Sequence, residues 1–267
     1  MATFSFGNQT ILVTAASGGI GTAVCERLAR QGADLVVTAR DKAKLEALAV
    51  KLKALGARSV HCIAADMGDL NSTSAFAAEL TKKNIHCDGM VFMIPQPHRS
   101  SDAMPDNDVW ETLFRTSFIG PLAMMTAVIN GMTPEPAKGK RCKIAVVSGI
   151  SSAQVLSHYA TANVIRCAWV GEIKTLAFAL GARGIHLNTL SLGGTLSPWY
   201  VDSIKKRAEG AGMSYEAFLV KDTDNVPLRK YGMPEEVAGA IEGLLSPFSD
   251  HMTGTNIMHD GGFTRAY

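Results

Sequence analysis

Residues 11–21 read ILVTAASGGIG, and this stretch decides the fold. Its first residues, Ile11, Leu12 and Val13, form an apolar run of strand length. The run passes through a glycine-rich turn into GTAVCERLARQG, residues 21–32, which has an apolar stripe and a terminal Gly32 suited to cap a helix. Strand, small-residue turn and helix in that order make an anion site. The turn lets backbone approach a pyrophosphate, and the helix N-terminus offers unpaired N–H groups and partial positive charge. A glycine-rich turn alone says little, but its place between a strand and a helix makes Thr14, Ala16, Ser17, Gly19, Ile20 and Gly21 candidate dinucleotide contacts.

Outward from this turn the pattern repeats. DKAKLEALAVKLKALG, residues 41–56, is a second helix-like stretch with Asp41 at its start and Gly56 at its end. The runs TILVTA, ADLVVTA, SVHCIAA, GMVFMI, KIAVVS, IHLNTLSL and TNIMHD are all strand-length. Several are rich in Val, Ile and Leu without alternation, as strands buried on both faces of a parallel sheet must be. Alternating strands and helices predict an α/β protein: a Rossmann-type doubly wound parallel sheet in a single domain over residues 1–267. Residues 130–141 read as a surface loop, and residues 197–225 as a mostly helical, charged flap over the substrate within that domain.

Hydrophobic residues make up 47% of the chain and charged residues 19%, which excludes disorder. A net charge of +2 and the lack of a basic, aromatic-studded run give no reason to expect a nucleic-acid or membrane partner. The five cysteines, Cys25, Cys62, Cys87, Cys142 and Cys167, form no CxxC pair and read as reduced thiols of a cytoplasmic protein. The seven histidines form no HxxxH or HExxH pattern, so no metal site is expected. The N-terminal residues show no leader, and no segment reads as apolar for long enough to cross a bilayer.

The second strand ends VVTARD. An acidic side chain there would accept hydrogen bonds from a ribose 2′-hydroxyl, but Thr38 and Ala39 cannot. Arg40 presents a guanidinium suited to a 2′-phosphate, which points to NADP(H), although Asp41 stands close by.

These motifs resemble those of the short-chain dehydrogenase/reductase family, nearest to its 3-oxoacyl-(acyl-carrier-protein) reductase-like members. Residues 14–21 match its TGxxxGxG with Ala15 in place of the first glycine; RGIHLNTLSLGG matches RGIxVNxxxPG; and residues 226–262 match its PLxRxGxPEEVA…TGxxxxVDGG stretch. The resemblance covers nearly the whole chain. It implies that Asp66 and Met67 of AADMGD edge the adenine, and that Gly193, Thr195 and Ser197 contact the cofactor. It also implies a homo-oligomer, tetramer or dimer, built through the helices containing residues 110–128 and 162–180, and a small-molecule substrate that could be carrier-bound.

The family works with Asn, Ser, Tyr and Lys. Tyrosine protonates the carbonyl oxygen, lysine lowers the tyrosine pKa and holds the nicotinamide ribose, serine polarises the carbonyl, and asparagine supports a water relay. Counting back from Gly171, Lys174, Arg183 and Asn188, which match without a gap, places Arg166 at the lysine, Ala162 at the tyrosine and Gly149 at the serine. WETLFRTSFIGP places Ser117 at the asparagine, so all four positions are altered. A rival register that puts Tyr159 at the tyrosine needs three extra residues within a helix, rotating its face by roughly 60°.

Arg166 keeps the positive charge and can hydrogen-bond the cofactor's ribose hydroxyls, but it cannot shuttle protons. The substitutes at hand are Tyr159, read as lying on the same helical face as Ala162, and Ser148 and Ser151, which flank Gly149. His158 reads as a surface residue. Substituting Gly149→Ser, Ala162→Tyr and Arg166→Lys together is expected to rebuild the family's group. The expected activity is NADPH-dependent reduction of a carbonyl or an activated enone through this non-standard site. The alternatives are a non-catalytic dinucleotide-binding protein, or a non-redox isomerase or dehydratase in the same cleft.

Overall fold

A computed structural model describes residues 4–97 and 100–266. The reading of the first three residues therefore lies outside the described chain. All seven expected strands form: β1 (Thr10–Val13), β2 (Asp34–Ala39), β3 (Ser59–Ala64), β4 (Gly89–Met93), β5 (Cys142–Gly149), β6 (Ile185–Leu192) and β7 (Asn256–His259). They make one sheet in the order β3-β2-β1-β4-β5-β6-β7, every pairing parallel. This is the doubly wound Rossmann-type arrangement.

The strands lack polar alternation because both faces are covered. Ile11 and Val13 point into one core with Leu35 and Val37, packed under helices α1 (Gly19–Ala29), α2 (Lys42–Ala54) and α9 (Pro234–Leu245). Leu12 and Val36 point into the other, under α3 (Leu70–Lys82), α5 (Gly120–Asn130) and α6 (Ala160–Leu180). Burying these side chains on both faces contributes roughly 1.5–3 kcal/mol for each large one.

Helix α4 (Asn107–Phe114), a widened π turn at Arg115–Ile119 and α5 run on as one helix, Asn107–Asn130, of 24 residues and mean hydropathy 1.4 in its most apolar window. By length and composition it could cross a bilayer, contrary to the sequence expectation. Met124, Met125, Val128 and Ile129 lie buried in the second core, and 39% of that window is buried in all. Between β6 and α9 the flap folds as α7 (Pro198–Gly210) and α8 (Tyr215–Asp222).

The order reverses between β1 and β4, as their connections leave on opposite sides. A crevice opens at such a switch point, beyond the C-terminal ends of the strands, and it is where ligands bind in open α/β sheets.

Candidate active site

The glycine-rich turn is pinned before any ligand arrives. Thr14 is fully buried, and its hydroxyl accepts from the Met93 backbone N–H at 2.7 Å, tying the turn to β4. The Ala16 N–H donates to the Thr38 carbonyl, tying it to β2. Thr14 and Ala16 thus shape the turn from below, while Ser17, Gly19 and Ile20 keep part of their surface exposed. A Cβ on Gly21 would strike the Ala15 carbonyl, so glycine is obligatory there. The family's first glycine is Ala15, held at φ +49°, a region that suits glycine better.

A dinucleotide fits these groups. Gly18 caps α1 with no side-chain hydrogen bond, leaving first-turn N–H groups for a pyrophosphate. The Thr38 hydroxyl is buried beside the turn with no hydrogen-bond partner among the described residues. Arg40 is exposed at the end of β2 and makes no ion pair among the described residues. The Asp41 carboxylate accepts from the Lys44 N–H at 3.0 Å as the N-cap of α2. Asp66 folds its carboxylate back on the Gly68 N–H at 2.9 Å, and Met67 packs against the second core.

A cavity of about 460 Å³ fills the crevice. Ile20, Met93, Ser148, Gly149, Tyr159 and Arg166 border one side, and Gly193, Thr195 and Ser197 continue the wall. Trp199, Tyr200, Arg207 and Asp222 of the flap face them, with Tyr231 beyond. The flap also closes on the turn, since a Cβ on Gly19 would lie 2.5 Å from Pro198 Cδ.

Arg166 is buried, with 8% of its surface exposed. Its Nη1 donates to Ser151 Oγ at 2.8 Å and its Nη2 to Gln96 Oε1 at 2.5 Å. Its Cζ lies 5.3 Å from the centre of the Tyr159 ring. Burial pushes the guanidinium pKa down, and the nearby Tyr159 phenol pulls it back up. Ser148 borders the cavity with a buried hydroxyl that has no hydrogen-bond partner among the described residues.

The structure corrects the reading of Tyr159. This residue is the N-cap of α6, at φ −130° and ψ 35°, so it does not share a helical face with Ala162. It reaches Arg166 from the loop instead, where the spacing rule for helices does not apply. Ala162 has no exposed surface, and a tyrosine placed there would overpack the position. The simple rebuilding of the family's group is therefore not expected to succeed. Ser117 lies in the π turn, buried, with its carbonyl accepting from Trp169 Nε1 at 2.8 Å; it does not border the cavity. His158 is exposed, as its sequence reading expects, and it also borders the cavity, its ring centre 4.5 Å from that of Tyr159 at a 45° tilt.

Sequence reading missed Gln96, for no motif marks it; only the approach of β4 and α6 brings it to Arg166. It also missed a cluster across the flap. Arg207 donates from Nη1 and Nη2 to the two Asp222 oxygens at 3.1 and 3.0 Å, and the Tyr231 hydroxyl donates to Asp222 Oδ2 at 2.9 Å. Burial and the Asp222 carboxylate push the Tyr231 phenol well above its ordinary pKa.

Comparison with known proteins agrees with this geometry. The family model for enoyl-(acyl carrier protein) reductase matches residues 14–264. An A-factor type gamma-butyrolactone 1'-reductase (1S-forming) of Streptomyces virginiae is 28% identical over 260 residues, 96% of this chain and 96% of that protein. Human dehydrogenase/reductase SDR family member 4 is 27% identical over 260 residues, 96% of this chain and 87% of that protein. Among solved structures, L-sorbose reductase from Gluconobacter frateurii, complexed with NADPH and L-sorbose, superposes with a TM-score of 0.90 at 22% identity, covering 99% of this chain and 100% of that one. A short-chain oxidoreductase from Pseudomonas aeruginosa PAO1 containing an atypical catalytic center superposes with a TM-score of 0.86 at 24% identity, covering 99% and 100%. The chain belongs to the short-chain dehydrogenase/reductase family and is an NAD(P)H-dependent oxidoreductase of that type.

Proposed function

We propose that this protein uses NADPH to reduce a carbonyl or an activated enone, with Tyr159 as the acid in place of the family's tyrosine. One observation carries the reading: Tyr159 and Arg166 meet at one wall of the cavity that opens beside the glycine-rich turn. The exposed, unpaired Arg40 and the engagement of Asp41 as a helix cap favour a 2′-phosphate. A neighbouring fold from Pseudomonas aeruginosa that contains an atypical catalytic center is known with NADPH bound, which supports reductase chemistry without the usual group.

When bound, the dinucleotide supplies a hydride. The chain's residues then manage charge and protons. As the carbonyl oxygen gains negative charge, the Tyr159 hydroxyl donates its proton to it, and the adjacent guanidinium stabilises the phenolate left behind. Arg166 stays protonated throughout. Ser148 holds a hydroxyl at the cavity wall that can donate to a substrate oxygen. With an enone, solvent protonates the enolate later, so less is asked of Tyr159. The flap helices close the cavity with Trp199 and Tyr200 and would select a small or carrier-bound substrate. The five cysteines are free thiols, in keeping with a cytoplasmic setting.

The test follows nicotinamide absorbance with NADPH and a panel of ketones and enones. Turnover is expected, and Tyr159→Phe should lower ketone turnover by about 10²–10⁴-fold, the range for a general acid. NADPH binding without turnover of any panel member would favour the non-redox or binding readings. Unchanged ketone turnover in Tyr159→Phe would make that residue structural.

A further inference from the structure

We infer that the Arg166 guanidinium takes over the task of the missing side chain at position 149, hydrogen-bonding the substrate oxygen on which negative charge develops, with Gln96 and Ser151 as its positioning residues. This rests on the reductase reading above and adds a role for Arg166 directed at the substrate.

Arg166 leaves α6 where the family has lysine, but its end lies elsewhere. A Cβ on Gly149 would sit 2.6 Å from Cζ, 2.7 Å from Nη1 and 2.9 Å from Nη2. The guanidinium thus fills the volume in which the family's serine would stand. Gly149 has φ −135° and ψ 158°, extended backbone that any residue adopts, so the backbone does not demand glycine. The guanidinium does.

Its partners point the same way. Ser151 and Gln96 are neutral, and Arg166 makes no ion pair among the described residues. The carboxylates that border the cavity are engaged elsewhere. Asp222 holds Arg207 and Tyr231, and Asp260 accepts from the Gly262 and Thr264 N–H groups. A buried cation kept beside neutral partners retains its full charge for an oxyanion. As hydride adds to the carbonyl carbon, the C=O π pair moves to oxygen. That alkoxide accepts hydrogen bonds from the guanidinium and then the proton from Tyr159; the guanidinium loses nothing.

Gly149→Ala tests this directly, because the new methyl meets only the guanidinium end of the Arg166 side chain and displaces it without altering its charge. We expect kcat to fall by about 10²-fold, in the range for loss of one oxyanion donor, with KM and NADPH affinity within about twofold of the parent. Gln96→Glu keeps an acceptor for Nη2 but sets a counter-charge against the cation, and kcat should fall about 10–100-fold; a merely structural glutamine would tolerate it. Benzoate binding to the protein saturated with NADP⁺, read by calorimetry, should weaken about 10–100-fold in both variants. Unchanged kcat in both, or NADPH affinity falling in step with kcat, would overturn the inference, the latter placing the guanidinium at the ribose. If the parent reduces no carbonyl or enone, the reductase reading fails and benzoate decides alone: weakened binding keeps the guanidinium at an oxyanion site, unchanged binding removes it. If Gly149→Ala does not fold, the Gln96→Glu measurements decide in the same way.

Discussion

The cofactor preference and the chemistry proposed above rest on single side chains. Arg40 was legible in sequence because the end of β2 has a known duty, and the structure adds that it makes no ion pair among the described residues. Loss of a charge-assisted contact of this kind costs about 1.5–3 kcal/mol. Arg40→Ala should therefore weaken NADPH binding about 10–100-fold while leaving NADH binding within a few-fold. Fluorescence titration with both cofactors checks this, and equal dissociation constants for the two in the parent would defeat it. Other residues were legible only as departures. Ala15 shows in sequence as a missing glycine, yet its positive φ comes from the path of the turn. Gly149 reads in sequence as a lost serine; only the approach of Arg166 shows that the loss makes room for a guanidinium.

At the level of elements, apolar runs reported all seven strands because both sheet faces are covered and no alternation competes with the signal. Helix boundaries were weaker guides. Tyr159 reads as helical from its spacing, but α6 starts one residue later, and this single residue decides whether a spacing rule applies. The Arg207–Asp222 pair was invisible in sequence because its partners lie 15 residues apart on two helices joined by a turn. In the structure it ties α7 to α8, with Arg207 also packed over the rings of Tyr200 and Phe218. The pair is part-exposed, at 33% and 20% of the two side chains, so its stabilising effect is modest, about 1 kcal/mol at most. Its larger consequence should be on the shape of the flap. Asp222→Asn is expected to raise KM about three- to tenfold with kcat nearly held, as loss of uniform substrate binding does, and to lower Tm by only about 2–4 °C. Initial rates and a thermal melt measure both; a fall in kcat at constant KM would show that the pair serves the chemistry instead.

Across the whole molecule, large apolar side chains stand exposed on two of the outer helices. Phe178 on α6 is 83% exposed, Val164 on the same helix 43%, and Ile119 at the π turn 50%. They lie on the two helices through which members of the family usually assemble. Exposed large apolar side chains on such elements are candidates for a contact surface, and a homo-oligomer joined through matching surfaces on each copy is the commonest way to cover one. We therefore propose that the protein is a dimer or tetramer. A charge buried without a partner at such a contact is costly, whereas the same charge on an isolated chain would be solvated. Phe178→Glu should accordingly lower the mass measured by light scattering to that of a smaller assembly or a single chain. Away from the assembly its effect on stability should stay within about 0.5 kcal/mol. NADPH affinity provides the control, since the turn and Arg40 lie on other elements. A parent already of single-chain mass, or a variant whose mass matches the parent's, would refute assembly through this face.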